Sequence, residues 1–136
     1  MALGRVVLDT DILSAIMRQN TRVLPRARAY LDEHHQFTLS IITRFEILRG
    51  LKARNATRQL QRFDEFCARN IILPLSDAIV VRAAAIYGDL HRRGHLIGDA
   101  DILIAASAIV NHCGVVTNNE EHFGRIEGLQ IENWLK

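Results

Sequence analysis

The chain has 136 residues, 49% hydrophobic and 24% charged, with a formal net charge of +2. That length supports a single domain over residues 1–136 with a core large enough to need no disulfide or metal staple. No apolar run is long enough to span a bilayer, and the N-terminus lacks the apolar core of a signal peptide.

A soluble cytoplasmic protein is therefore expected. Cys67 and Cys113 lie far apart without paired spacing or a histidine at ligand distance, which disfavours zinc and predicts buried free thiols. Fifteen of the seventeen basic residues are arginine, the side chain suited to bidentate phosphate and carboxylate contacts. The densest basic stretch holds Arg44, Arg49, Lys52, Arg54, Arg58, Arg62 and Arg69. Arg58 and Arg62 stand one helical turn apart, as a solvated helix face, a phosphate rail or a protein interface would have them.

Residues 4–9 read as a buried strand, 12–18 as a short helix begun near Asp11, and 24–35 as an amphipathic helix. Residues 37–40 form a second strand. Helical patterns follow over 43–54 and 57–69, with Asn55-Ala56-Thr57 as the break between an antiparallel pair, and 71–73 is strand-like. Ser76 opens a long helix with Ile79, Val80, Ala83, Ala84, Ile86, Tyr87 and Leu90 inward, ending at Arg92-Arg93-Gly94 with glycine as the left-handed cap. Residues 101–110 are almost wholly apolar, and their length and alanine content favour a buried helix over a strand. A short central strand at 115–117, a helical turn at 120–123 and a strand-like end at 129–134 complete the chain. Strands separated by helices predict an α/β three-layer sandwich, a mostly parallel sheet with helices on both faces.

The acids fall at the ends of the most apolar stretches: Asp9 and Asp11 after Val6-Val7-Leu8, Glu46 after Ile41-Ile42, and Asp99 and Asp101 before Ile102-Leu103-Ile104. Asn119 follows Val115-Val116-Thr117. In an open parallel sheet the ligand crevice lies beyond the carboxyl ends of the strands, so such residues can converge there. Carboxylates gathered without a cation repel one another and take up protons, which points to a hard divalent ion, Mg²⁺ or Mn²⁺, held through oxygen.

Each acid also has an ordinary structural use. Asp11 can cap the helix it opens, Glu46 can pair with Arg44 or Arg49, Asp99 and Asp101 suit a helix N-terminus, and Asn119 suits a turn. Residues two apart on a helix point roughly 200° apart, so at most one of Asp99 and Asp101 faces a shared site squarely. The six histidines form no metal pattern and are expected at the surface or the core edge. No serine has the context of a nucleophile elbow, and no glycine-rich phosphate loop is present.

Together, Leu8-Asp9-Thr10-Asp11-Ile12-Leu13, the Glu46 helix, Ile97-Gly98-x-x-Asp101-x-Leu103-Ile104-Ala105-Ala106, Val116-Thr117-Asn118-Asn119 and Gly128-Leu129-x-Ile131-Glu132-Asn133-Trp134 resemble the PIN domain, specifically VapC-type toxin ribonucleases. The resemblance spans the whole chain in order. It implies a PIN-like fold and a Mg²⁺-dependent endoribonuclease, the toxin of a toxin–antitoxin pair, with Mn²⁺ as a possible substitute. By position it puts Asp9, Glu46 and Asp101 on the metal-binding acids and Asn119 at the fourth acid or its amide substitute. Asp11, Asp99 and Thr117 are further candidates, with Asp99 at a position often occupied by proline. It also implies a homodimer and a VapB-type antitoxin that blocks the site, and the implied reaction is hydrolysis of an RNA phosphodiester by metal-activated water. Arg58 and Arg62 are the candidate RNA contacts.

Two other readings remain open. Asp9-x-Asp11 also resembles the opening of haloacid-dehalogenase-type phosphatases, with Asp9 as nucleophile and Asp11 as acid, although Leu13 and the shortage of lysine depart from that pattern. A catalytically silent RNA-binding or scaffold protein of the same fold is the third.

Overall fold

The computed structural model describes residues 4–136. Its elements in chain order are β1 (Val6–Leu8), α1 (Thr10–Met17), α2 (Val23–His34), β2 (Thr38–Ser40), α3 (Ile41–Ala53), α4 (Thr57–Arg69) and β3 (Ile71–Leu73), then α5 (Asp77–Arg93), α6 (Asp99–Val110), β4 (Gly114–Val116), α7 (Glu120–Phe123) and β5 (Ile131–Glu132). The five strands form one sheet in the order β3-β2-β1-β4-β5, and every pairing is parallel.

That order has a direct consequence for the site. From β1 the chain winds outward one way through β2 and β3, then returns to place β4 on the other side of β1. The direction of winding therefore reverses between β1 and β4, and the loops leaving their carboxyl ends diverge to open a crevice. Asp9 follows β1 and Thr117 follows β4, so both stand at that crevice.

Alternation along the strands supplies two cores. Val6, Leu8, Leu39 and Val116 pack with Leu13, Val23, Ile47, Leu51, Phe63 and Trp134 on one face, while Val7 and Val115 pack with Ile79, Ile86, Leu90, Ile104 and Phe123 on the other. Both faces of the central strands are dry, which is why their sequence is a continuous apolar run.

Local chemistry explains the helix ends. The Ser40 hydroxyl accepts from the Ile42 N–H and the Ser76 hydroxyl from the Ile79 N–H, while Gly94 closes α5 at φ +70°. Asn55, left-handed at φ +52°, breaks α3 from α4.

Several expectations need correction. The strands are shorter than the apolar runs, because Asp9 leaves β1 to cap α1 and Asn133 leaves β5 so that Trp134 enters the core beside Tyr30 and Phe37. The cap of α1 is thus Asp9 and not Asp11. On α5 only the row Ile79, Ala83, Ile86 and Leu90 is buried, whereas Val80, Ala84 and Tyr87 are exposed. One stripe of α5 packs inward, mainly against α6, and on the neighbouring row Ala84 and Tyr87 border a shallow surface cleft with Asp99 and Leu103 of α6. Cys67 and Cys113 are free but only half-buried. Among the described residues, no helix is long and apolar enough to cross a membrane.

Candidate active site

Asp9 is the most buried of the candidate acids, 6% exposed. Its backbone N–H donates to the Val116 carbonyl at 2.9 Å, which extends the β1–β4 ladder by one rung and holds the residue rigidly. One carboxylate oxygen accepts from the Thr10 N–H at 2.8 Å, and the other accepts from the Thr117 hydroxyl at 2.8 Å. Burial is the main reason its pKa is pushed up from 3.8 to about 7. The Asp11 charge pushes the same way, the Thr117 and Thr10 hydrogen bonds oppose it, and the Asp101 charge adds a smaller upward push.

Asp11 lies one turn into the same loop–helix junction. Its Oδ2 accepts from the Asn118 N–H at 3.0 Å, whereas Oδ1 is buried without a hydrogen-bond partner. Burial raises this carboxyl too, opposed by the Asn118 N–H and reinforced by Asp101.

Asp101 stands in the first turn of α6, its Oδ2 3.5 Å from His122 Nδ1. Asp99, two residues earlier, is exposed and borders the cleft with Ala84, Tyr87 and Leu103 on the α5 side. The 3.6-residue period separates the pair as expected, with Asp101 the member that acts electrostatically on Asp9 and Asp11.

Glu46 enters from α3. Its Oε1 accepts from the Thr10 hydroxyl at 2.6 Å, and Oε2 lies 3.8 Å from Arg49, a mostly exposed side chain whose guanidinium also covers the Phe45 ring. Thr10 thus joins the first two candidate acids, with its N–H on Asp9 and its hydroxyl on Glu46. Thr117 is fully buried, donates to Asp9 and accepts from the Asn119 N–H at 2.9 Å. The Asn119 side-chain nitrogen lies 2.8 Å from His122 Nδ1.

Thr10, Asn118 and His122 were not singled out in the sequence. Thr10 directly follows Asp9, and His122 lies one helical turn after Asn119, so spacing alone could have flagged both. His122 is at the surface, as expected of the histidines, yet its ring reaches Asn119 and Asp101.

The arginine-rich stretch divides. Arg54 and Arg62, with Arg18 from α1, rim a cleft of about 470 Å³ that has Met17, Ile47 and Leu51 among its apolar lining and Thr10 and Glu46 at one end. Arg58 is not among the residues lining it. Arg44 is engaged elsewhere, 3.5 Å from Asp64 and over the Phe63 ring.

A hard cation fits this chemistry. The candidate donors are oxygens, one carboxylate oxygen of Asp11 is buried and unpartnered, and Asp9 is held partly protonated near neutrality by burial and neighbouring negative charge. Among the described residues, no three acid, histidine or cysteine side chains already form a metal cage. Mg²⁺ needs none, because it keeps several waters and takes only one or two carboxylates directly.

The PIN-domain family model matches residues 6–129. The chain belongs to the PIN-domain family. It is 30% identical over 130 residues to Ribonuclease VapC1 of Methanocaldococcus jannaschii, covering 94% of this chain and 87% of that protein. It is 29% identical over 131 residues to the tRNA(fMet)-specific endonuclease VapC of Shigella flexneri, covering 96% and 98%. Among solved structures, this PIN domain superposes on a chain of VapBC2 from Rickettsia felis bound to a DNA fragment from their promoter, with a TM-score of 0.86, 26% identity and coverage of 96% and 99%. DNA-bound VapBC from Salmonella typhimurium gives a TM-score of 0.84, 28% identity and coverage of 98% and 99%.

Proposed function

We propose that this PIN domain is a Mg²⁺-dependent endoribonuclease, the toxin of a VapBC-type pair, working in the cytoplasm as a homodimer until a VapB-type antitoxin blocks its site. The observation that carries the reading is the buried Asp9 at the reversal of the sheet, flanked by Asp11 and Asp101, with its carboxyl raised to about 7. The similarity to VapC proteins supports the nucleic-acid substrate and the partner.

Asp9, Asp101 and Glu46 would hold the cation, directly or through its waters, with Asp11 Oδ1 available to a further water. A bound ion would lower the pKa of an attacking water and offset charge building on the phosphoryl oxygens. The rest is positioning. Thr10 and Thr117 hold Asp9 with both oxygens fixed, Thr10 aims Glu46, and Asn119 offers a neutral oxygen beside Asp101. Arg18, Arg54 and Arg62 counter the repulsion between a polyanion and an acidic centre. Arg62 is thus the better placed of the two candidate RNA contacts, and Arg58 is a distal one. An acidic centre beside an apolar cleft also suits a partner that presents an arginine.

The test is incubation of purified protein with structured and unstructured RNAs, with Mg²⁺ and with chelator. Metal-dependent internal cuts are expected. Phosphate release from a monoester without RNA cleavage would favour the dehalogenase-type phosphatase, and RNA binding without cleavage the silent binding protein.

A further inference from the structure

His122 has no role in the reading above, yet it touches two of the residues that do. Its Nδ1 lies 2.8 Å from the Asn119 side-chain nitrogen and 3.5 Å from Asp101 Oδ2. The short contact is a good hydrogen bond, and the long one places the ring edge beside the Asp101 carboxylate. An amide NH₂ can only donate, so at 2.8 Å the ring nitrogen accepts and the ring proton sits on Nε2.

Packing does not account for the imidazole. Its side chain is 40% exposed, and α7 is anchored instead by Phe123, which is fully buried. The Asn119 backbone is already fixed, its N–H on Thr117 and its carbonyl accepting from the Phe123 N–H at 3.2 Å. The side-chain amide is what His122 adds. Asn119 and Asp101 both contact His122 Nδ1, so without that acceptor the Asn119 NH₂ is free to turn toward the Asp101 carboxylate, since a hydrogen bond to a charged acceptor is about twice as strong as a neutral one. Turned that way, the amide would occupy a lone pair of the Asp101 carboxylate and turn its NH₂ instead of its oxygen toward a cation. In the structure the NH₂ is held by the ring, and the Asn119 oxygen has no partner among the described residues.

We propose that His122 is a positioning residue that sets the amide orientation of Asn119, leaving its oxygen and the Asp101 carboxylate free for the acidic centre, an inference that rests on the nuclease reading. His122→Phe keeps the ring shape and removes the acceptor. His122→Asn brings an amide oxygen near the place of Nδ1.

The experiment uses the full chain. Nitrogen-15 NMR of the metal-free protein reads the His122 ring, Mn²⁺ affinity is measured by electron paramagnetic resonance without RNA, and RNA cleavage is resolved into kcat and KM. The expected result is an unprotonated Nδ1 coupled to the Asn119 NH₂. Residues that support metal ligands cost about 10–100-fold on removal, so His122→Phe should lose that much in Mn²⁺ affinity and kcat with KM unchanged. His122→Asn should recover most of both. The proposal is overturned if Nδ1 carries the proton, if His122→Phe matches wild type, or if His122→Asn is as impaired as His122→Phe. Wild-type protein that neither binds Mn²⁺ nor cuts RNA overturns the nuclease reading and this proposal with it, an outcome distinct from intact wild type with an indifferent His122.

Discussion

Replacing Asp9 by Asn should stabilise the metal-free protein at alkaline pH and do so less as the pH falls. The carboxyl is raised from 3.8 to about 7, chiefly by burial and then by Asp11. One pKa unit is about 1.4 kcal/mol, so the ionised form costs the native state about 4 kcal/mol relative to the neutral one. A raised pKa gives stability that is complete below 3.8 and is lost as the pH climbs through about 7. At pH 8 wild type carries the whole cost, and at pH 5 native Asp9 is protonated and carries less than half of it. Asparagine stands in for the neutral carboxyl, and the opposing hydrogen bonds from Thr117 and Thr10 are already contained in the raised value. The expectation is a gain of about 4 kcal/mol at pH 8, smaller by about 2–3 kcal/mol at pH 5.

Trp134 reports unfolding well, being the only tryptophan and 1% exposed. Urea unfolding followed by its fluorescence, in chelator at both pH values, measures the difference. A variant less stable than wild type at pH 8, or a difference that does not change with pH, refutes the account of Asp9 as a buried, frustrated carboxyl. Saturating Mg²⁺ should reverse the order, since an ion that binds wild type more tightly than the variant stabilises it more.

Asp9→Asn and Asp101→Asn should each lower RNA cleavage by at least about 100-fold with the fold intact, as expected for loss of a group that holds the ion, whereas Asp99→Ala, altered on the α5 side, should keep most of the activity; cleavage assays at saturating Mg²⁺ decide. Thr10→Val removes the hydroxyl that holds Glu46 but not the N–H that caps Asp9, so kcat should fall while Thr10→Ser retains it, read from single-turnover rates. Replacing Arg54 and Arg62 together by Gln should weaken RNA binding and flatten its dependence on salt by about 0.7 in log–log slope per lost phosphate contact. Arg58→Gln should change the slope little, and equal slopes for all variants would make the stretch a protein interface.

The pattern of elements was legible because local signals and burial agree. Ser40, Ser76 and Gly94 are at the helix ends their chemistry favours, and the Val-rich strands read as apolar runs because both faces are covered. The exposed row Val80, Ala84 and Tyr87 was misread because an apolar residue on a helix signals a stripe without saying how wide a stripe its partner helix covers. The candidate acids stood out from their place at the ends of buried runs. The supports were not. Thr10 reaches Glu46 only because α1 and α3 leave neighbouring strands at the same end of the sheet, and His122 reaches Asp101 only because α7 follows the strand beside β1.

Asp9 shows how one residue can satisfy the fold and still be left in conflict with it. As the residue before α1 it does what a helix start asks of a carboxylate, accepting from a free N–H near the positive end of the helix. A surface cap of that kind would have its acidity increased. Here the helix begins at the reversal point of the sheet, so the same carboxylate is buried, faces Asp11 and feels Asp101, and the balance tips the other way. Two good hydrogen bonds do not settle it, because neither brings a full positive charge. Removing the conflict within the protein would take a lysine or arginine among these three acids, and none is in contact with their carboxylates among the described residues. What the fold leaves undone at Asp9 is therefore the strongest physical argument that a cation from solution completes the site.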